Sequence, residues 1–248
     1  MSPTITDQTT YWDHYAEGVP DQPLDEALRN AFGWTQYPGH GPGDELLGHP
    51  ATVLELGSGR GDAIAALATK GITATGLDIS PAQCEKARTR WAHLSKAHFE
   101  HGDVLDYLAT TTRRWDTIYS IWGAVWFTNP EDLLPLIHDH LTPGGKLVFS
   151  HAAPVPGAYG IQGTYATGLT GRQVWLYRWS YEPATWATIL ETHGFTEVEA
   201  IIEPAPTPHH IGTLLAQACK GTELPHQRPF WGKHGVEHRW DHTRDPHH

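Results

Sequence analysis

Short apolar runs and longer helical stretches alternate from residue 51 onward. Thr52 to Leu56 is an apolar run that stops at Gly57, and the Ala- and Leu-rich residues 60–70 behind it stop at Gly71. Ile72 to Leu77 ends at Asp78. Ser80 and Pro81 then form an N-cap and first-turn pair for a helix reaching about Leu94. His98 to His101, a brief helix over 104–110, and Asp116 to Ile121 continue the rhythm. Asn129-Pro130-Glu131 opens a helix to about His140, and Thr142-Pro143-Gly144-Gly145 leads into a fifth strand, Lys146 to Ser150. Strand and helix in strict alternation predict an α/β fold with a mostly parallel sheet flanked by helices.

The flanks read differently. Two short helices are expected around Tyr11 to Ala16 and over 22–33, followed by a Gly- and Pro-rich loop to Pro50. Residues 152–181 carry many Gly and aromatic residues and no long amphipathic stretch. They read as an insertion over the carboxyl edge of the sheet, where binding loops belong. Glu182-Pro183 starts a helix to His193 with Gly194 as its stop, and Phe195 to Ile202 and Ile211 to Cys219 read as two last strands. The expected organisation is a helical cap over 1–50, a catalytic domain over 51–220 and a polar, His-rich tail over 221–248.

Composition narrows the function. Seventeen Lys and Arg stand against 28 Asp and Glu, a net charge of −11, and no basic stripe appears, which disfavours a nucleic-acid partner. Two distant cysteines without a CxxC, a polar N-terminus and no apolar run near the ~18 residues of a membrane span suggest a soluble cytoplasmic chain with no membrane partner. The His residues match no zinc spacing, so no metal is expected. The oligomeric state, a homodimer among the options, is not readable.

Three strand ends carry the chemistry. The turn Gly57-Ser58-Gly59-Arg60-Gly61 lets a ligand approach the backbone closely. A dinucleotide fingerprint would place a third glycine where Asp62 stands, and that acid would repel a pyrophosphate. The spacing therefore suits a ligand without phosphate. Asp78, with Ile79 beside it, can accept hydrogen bonds from two ribose hydroxyls. Asp103 can accept from an exocyclic adenine amine, with Val104 as an apolar face for the ring. Each acid could instead cap the helix that follows it.

The set of Glu55 to Gly61, Asp78 and Asp103, with the run Leu141-Thr142-Pro143-Gly144-Gly145-Lys146-Leu147, resembles the class I S-adenosylmethionine-dependent methyltransferases. The resemblance implies a seven-stranded sheet of order 3-2-1-4-5-7-6 with its last strand antiparallel, and S-adenosylmethionine as cofactor. It also implies that Glu55 or nearby backbone helps hold the methionine amino group and that Ser120 to Gly123 line the cofactor. Tyr11 and Tyr15 would close over the methionine part from an N-terminal helix.

Methyl transfer is an in-line displacement that needs alignment and exclusion of water more than proton transfer. His151, just past the fifth strand, is the candidate base where an acceptor has a proton to lose. Tyr159 is a second catalytic candidate, and Trp122, Trp126 and Tyr165 are candidate walls for the acceptor. Eleven Trp and nine Tyr point to a small, flat, aromatic or indole-like natural-product acceptor, although tryptophans also fill cores. RNA or protein methylation, a non-catalytic cofactor-binding role and an NAD(P)-dependent oxidoreductase remain the competing readings.

Overall fold

The computed structural model describes residues 5–18, 22–165 and 175–222. Seven strands form one sheet: β1 (Thr52–Leu56), β2 (Thr73–Asp78), β3 (Ala97–His101), β4 (Trp115–Ile121), β5 (Leu141–Ala152), β8 (Phe195–Glu203) and β9 (Thr213–Lys220). The order is β3-β2-β1-β4-β5-β9-β8, which is 3-2-1-4-5-7-6 when these strands alone are counted. β1 to β5 pair in parallel, and β9 runs antiparallel to both neighbours.

Burial on both faces explains the unbroken apolar runs. Val53, Leu54 and Leu56 of β1 are all buried, as central parallel strands require. The helices α3 (Asp62–Thr69), α4 (Pro81–Arg90), α5 (Val104–Thr110), α7 (Pro130–His140) and α8 (Pro183–Thr192) connect these strands. One hydrophobic cluster gathers Trp115, Phe149, Trp186 and the buried leucines of α7, and a second gathers Trp34, Ile64, Leu67 and Trp91. Five tryptophans, Trp179 included, are thus core residues among those described. Two of them satisfy their indole N–H on backbone: Trp34 Nε1 donates to Gly43 O at 2.9 Å and Trp91 Nε1 to Arg60 O at 3.0 Å.

The cap signals translate directly. Ser80 Oγ accepts from Gln83 N at 3.1 Å with Pro81 in the first turn, and Asn129 Oδ1 accepts from Glu131 N at 3.3 Å. Gly194 takes φ +87° behind α8. Four features differ from the sequence reading, the first being that β5 runs from Leu141 to Ala152 and not only from Lys146 to Ser150. A four-residue helix α6 (Ala124–Phe127) follows β4. The expected irregular insertion contains a hairpin of β6 (Gly160–Tyr165) and β7 (Trp175–Ser180), paired antiparallel. The second N-terminal helix, α2 (Leu24–Arg29), is shorter than expected, while the first, α1 (Ile5–Gly18), is longer. The tail from residue 223 and the side chains of Tyr165 and Trp175 lie outside what is described. Among the described residues, no helix is long and apolar enough to cross a membrane, and no cluster of His, Cys, Asp and Glu is placed to hold a metal.

Asp116 locks the strand starts at the far edge of the sheet. Its Oδ2 accepts from Ala51 N, Thr52 N and Thr52 Oγ1 at 2.9–3.0 Å, and its Oδ1 accepts from Thr142 Oγ1 at 3.2 Å. Removing a charged acceptor with several partners costs about 2–3 kcal/mol. Asp116→Ala should lower unfolding free energy by that amount in urea titrations, and a loss under 0.5 kcal/mol would refute the role of this carboxylate.

Candidate functional site

A cavity of about 420 Å³ opens at the carboxyl ends of the first four strands, between the glycine turn, α1 and α6. Its floor is the turn itself. Gly57 adopts φ +84°, and a methyl group on it would come within 2.8 Å of Ala124 N and Gly123 Cα. No larger residue fits. Gly57 N and Ser58 N both donate to Leu77 O, at 2.8 and 3.1 Å, which ties the ends of β1 and β2 together. Gly59 also lines the cavity, and its N–H donates to Asp78 Oδ2 at 2.8 Å.

Asp78 ends β2 and is buried. Its Oδ1 accepts from Ser80 N at 2.9 Å. A carboxylate has about four lone-pair sites, so roughly two remain for a ligand. Burial pushes the Asp78 carboxyl above the usual carboxylate range, against the backbone hydrogen bonds and His101. Asp103 also lines the cavity, and its Oδ1 caps α5 by accepting from Leu105 N at 2.8 Å and Asp106 N at 3.3 Å. Capping and ligand recognition are therefore compatible uses of one carboxylate. Ile79 and Val104 add apolar surface beside these two acids.

The opposite wall is aromatic. Tyr11, Trp12 and Tyr15 reach in from α1, and Trp122, Trp126 and Phe127 from the β4–α6 segment. Trp12 and Phe127 meet edge to face at 5.0 Å. Trp122 sits at φ +52°, a conformation that costs a bulky residue of order 1–3 kcal/mol. It is held there by Trp122 N donating to Ser150 O at 2.9 Å and Nε1 donating to Trp34 O at 3.0 Å. α1 is docked by polar contacts. Ser80 Oγ donates to Asp13 Oδ1, and Lys86 Nζ donates to Ala16 O at 2.9 Å.

The sequence reading missed Gln8, Trp12, Gln83, Phe127 and Thr128, which also line the cavity. Trp12 stands between Tyr11 and Tyr15, so the aromatic run was the available signal.

Six expected site residues do not line it. Glu55 is 4% exposed, on the sheet face it shares with its register partner Tyr119, and its Oε2 accepts from Tyr119 Oη at 3.2 Å. Burial drives its carboxyl well above the usual range. The Ser58 hydroxyl packs over Gly76 of β2. Gly61 faces the Phe99 ring, which a methyl group there would strike at 2.2 Å. Ser120 Oγ donates to Leu56 O at 2.8 Å and accepts from Val125 N at 3.3 Å, bracing β4 against β1. Tyr159 is 44% exposed and donates its hydroxyl to Glu182 Oε1 at 2.6 Å.

His151 is the sixth. β5 extends beyond the expected Ser150, so His151 is a strand residue paired with Leu214 and fully buried. The Trp126 ring stacks flat on it at 5.4 Å, and Trp186 lies 5.7 Å away. Its Nδ1 is 2.8 Å from Ala152 O, and Nε2 meets no partner among the described residues. Neither His151 nor Tyr159 reaches the cavity as a base would.

The model of the methyltransferase domain family matches residues 53–145, the span that supplies most of these walls. The chain carries a methyltransferase domain over those residues. A trans-aconitate 2-methyltransferase of Paracidovorax citrulli is 26% identical to this methyltransferase over 213 residues, 71% of this chain and 81% of that protein. Among solved structures, the DhpI–SAH complex superposes with a TM-score of 0.62 at 19% identity, covering 88% of this chain and 98% of that one. A 1,6-didemethyltoxoflavin-N1-methyltransferase of Burkholderia thailandensis, solved with 1,6-didemethyltoxoflavin and S-adenosylhomocysteine, superposes at 0.59 with 21% identity, covering 88% and 87%.

Burial, with the Arg178 charge nearby, pulls the His151 imidazole of this methyltransferase down from 6.5 to about 4, against its backbone hydrogen bond. Between those pH values the unfolded chain takes up a proton here and the folded chain does not. Stability is therefore lost as pH falls through that window, by on the order of 3 kcal/mol once pH drops below 4. His151→Phe should flatten the fall in unfolding free energy between pH 6.5 and 4, measured by urea titration. Parallel pH profiles for the two proteins would assign the acid lability elsewhere.

Proposed function

We propose that the methyltransferase moves the methyl group of S-adenosylmethionine to a small, flat, aromatic acceptor held against Trp122 and Trp126. The carrying observation is the division of the cavity. Its charged side chains are Asp78 and Asp103 at one end, its other end is aromatic, and no basic side chain lines it among the described residues. Two carboxylates suit hydroxyl and amine donors and oppose phosphate. The cofactor suits this donor set: Asp78 has lone pairs left that ribose hydroxyls would use, and Asp103 would accept from the adenine amine, with Ile79 and Val104 as apolar neighbours in the lining.

When bound, S-adenosylmethionine supplies an electrophilic methyl carbon on a sulfonium sulfur. The protein's own contribution is positional. Tyr11, Trp12 and Tyr15 cover the cavity from α1, exclude water and offer ring faces to a cation. Trp122 and Trp126, at 5.7 Å and nearly perpendicular, fix two walls against which a flat ring can stack. His151, neutral and behind Trp126, stays out of the proton inventory, which suits an acceptor atom that needs no base.

The matched relative of Paracidovorax citrulli is named for trans-aconitate, a polycarboxylate. Such a polyanion would find no cation among the side chains lining this cavity, and unpaired charge is costly to bury. A flat ring, as in the toxoflavin-type acceptor of the Burkholderia thailandensis enzyme, meets complementary walls instead.

The test is turnover of labelled cofactor with aromatic, indole-like and polycarboxylate acceptors, RNA and protein. Labelled aromatic product is expected, and transfer only to polycarboxylates, RNA or protein would reject the reading. Asp78→Ala should weaken S-adenosylhomocysteine binding by about 1–3 kcal/mol, roughly ten- to a hundredfold by calorimetry. Unchanged affinity would remove Asp78 from the ribose site.

A further inference from the structure

Arg178 stands in the middle of β7, where its register partner is Gln162 of β6. The hairpin strand packs beside α6 and touches α1, the two helices that wall the aromatic end of the cavity. The guanidinium carbon lies 5.3 Å from the centre of the Trp126 ring. Its orientation is fixed from behind: Arg178 Nε donates to Gln162 Oε1 at 3.1 Å, and Gln162 Nε2 donates to Ala158 O at 2.6 Å.

The fork of this arginine is left over. Only Nε has a hydrogen-bond partner, and no carboxylate lies within 4 Å of the side chain, among the described residues. Other arginines are used more fully. Arg29 pairs with Asp25 at 2.7 Å, Arg90 pairs with Asp62 and reaches Gln22 O, and Arg88 places Nε and Nη2 on Phe99 O. Scarcity of acids is not the reason in a chain with 28 of them and a net charge of −11. A guanidinium is permanently charged and presents donors whose spacing matches a carboxylate. Held half-buried over an aromatic wall with two Nη groups unpartnered among the described residues, it is prepared for an anion from outside the chain.

We propose that Arg178 anchors a single acidic group on the acceptor, which makes the acceptor a flat aromatic monoanion such as an arene- or heteroarenecarboxylate. This rests on the methyl-transfer reading and sharpens its substrate class. Arg178 stands outside the residues that line the cavity, so the ring would lie against Trp122 and the part of Trp126 left open to the cavity while the carboxylate reaches past Trp126 to the fork. One cation with no basic lining residue behind it favours one negative charge over several. The cation–π contact then has two uses: it clamps the hairpin to α6, and it holds the fork at the acceptor's end.

A structural clamp alone would not distinguish an acid from its amide, so the test uses matched pairs. Benzoate, indolecarboxylate and quinolinecarboxylate, each with its amide, are titrated into the full chain saturated with S-adenosylhomocysteine and followed by calorimetry. The acid of at least one pair should bind about tenfold tighter than its amide. Arg178→Gln should bring that ratio near one while S-adenosylhomocysteine affinity is retained, and Arg178→Lys should keep part of it. Equal affinity for acid and amide in every pair, no binding of any probe, or a ratio preserved in Arg178→Gln overturns the Arg178 assignment alone. A parent protein that fails to bind S-adenosylhomocysteine overturns the methyl-transfer reading, and this proposal with it.

Discussion

Three backbone hydrogen bonds at the mouth of the first two strands set the geometry of everything above them. Gly57 N and Ser58 N converge on Leu77 O, and Gly59 N meets the Asp78 carboxylate. They fuse the ends of β1 and β2 into one rigid rim. The rim can close this tightly because position 57 carries no side chain, since α6 begins within contact distance of it. Asp78 is thereby aimed and immobilised before any ligand arrives, which spares the ordering entropy of a free carboxylate. The same carboxylate receives Ser80 N, and Ser80 Oγ carries Asp13 of α1. A continuous polar chain therefore runs from the glycine turn to the helix that covers the cavity.

The aromatic residues divide into two populations with different physics. Trp34, Trp91, Trp115 and Trp186 fill the two cores and are fully buried. Trp12, Trp122 and Trp126 keep part of their surface in the cavity. The left-handed backbone at Trp122 marks this difference, since a β-strand end has easier ways to continue. The strain is compensated by two hydrogen bonds to distant parts of the chain and turns the indole toward the mouth. Core packing supports the functional wall from behind: Trp126 stacks on His151, which in turn meets Phe149 and Trp186.

Much of the frame was legible because its signals are local. Thr52 to Leu56 reads as a buried strand from its own residues, and Ser80-Pro81, Asn129-Pro130 and Gly194 mark helix ends by chemistry confined to one turn. What the sequence did not disclose depends on distance or on facing. α6 has four residues, too few to display a helical period. The β6–β7 hairpin hides behind Gly157, Gly160 and Gly163, which read as loop. Trp12 enters the cavity because Asp13 of its helix finds Ser80, 67 residues away. Glu55 and Ser120 stand in the segments the resemblance singles out, yet strand register turns one toward Tyr119 and the other toward Leu56. His151 looked like an edge residue because the fifth strand was expected to stop at Ser150; two further paired residues bury it.

Those displacements bear on the chemistry as a set. With Glu55 buried against Tyr119 and His151 behind Trp126, the polar groups that remain at the cavity among the described residues are Asp78, Asp103, Gln8, Gln83, Thr128 and the tyrosines of α1, none a strong base at neutral pH. A site of this composition can orient and enclose but has little means to remove a proton. A ring nitrogen with a free lone pair needs no such removal before it attacks a methyl carbon. The chain's acidity points the same way. A strongly negative surface repels a diffusing organic anion, so an acidic acceptor gains from a local, preorganised cation held half-buried over an aromatic ring. Arg178 over Trp126 meets that condition.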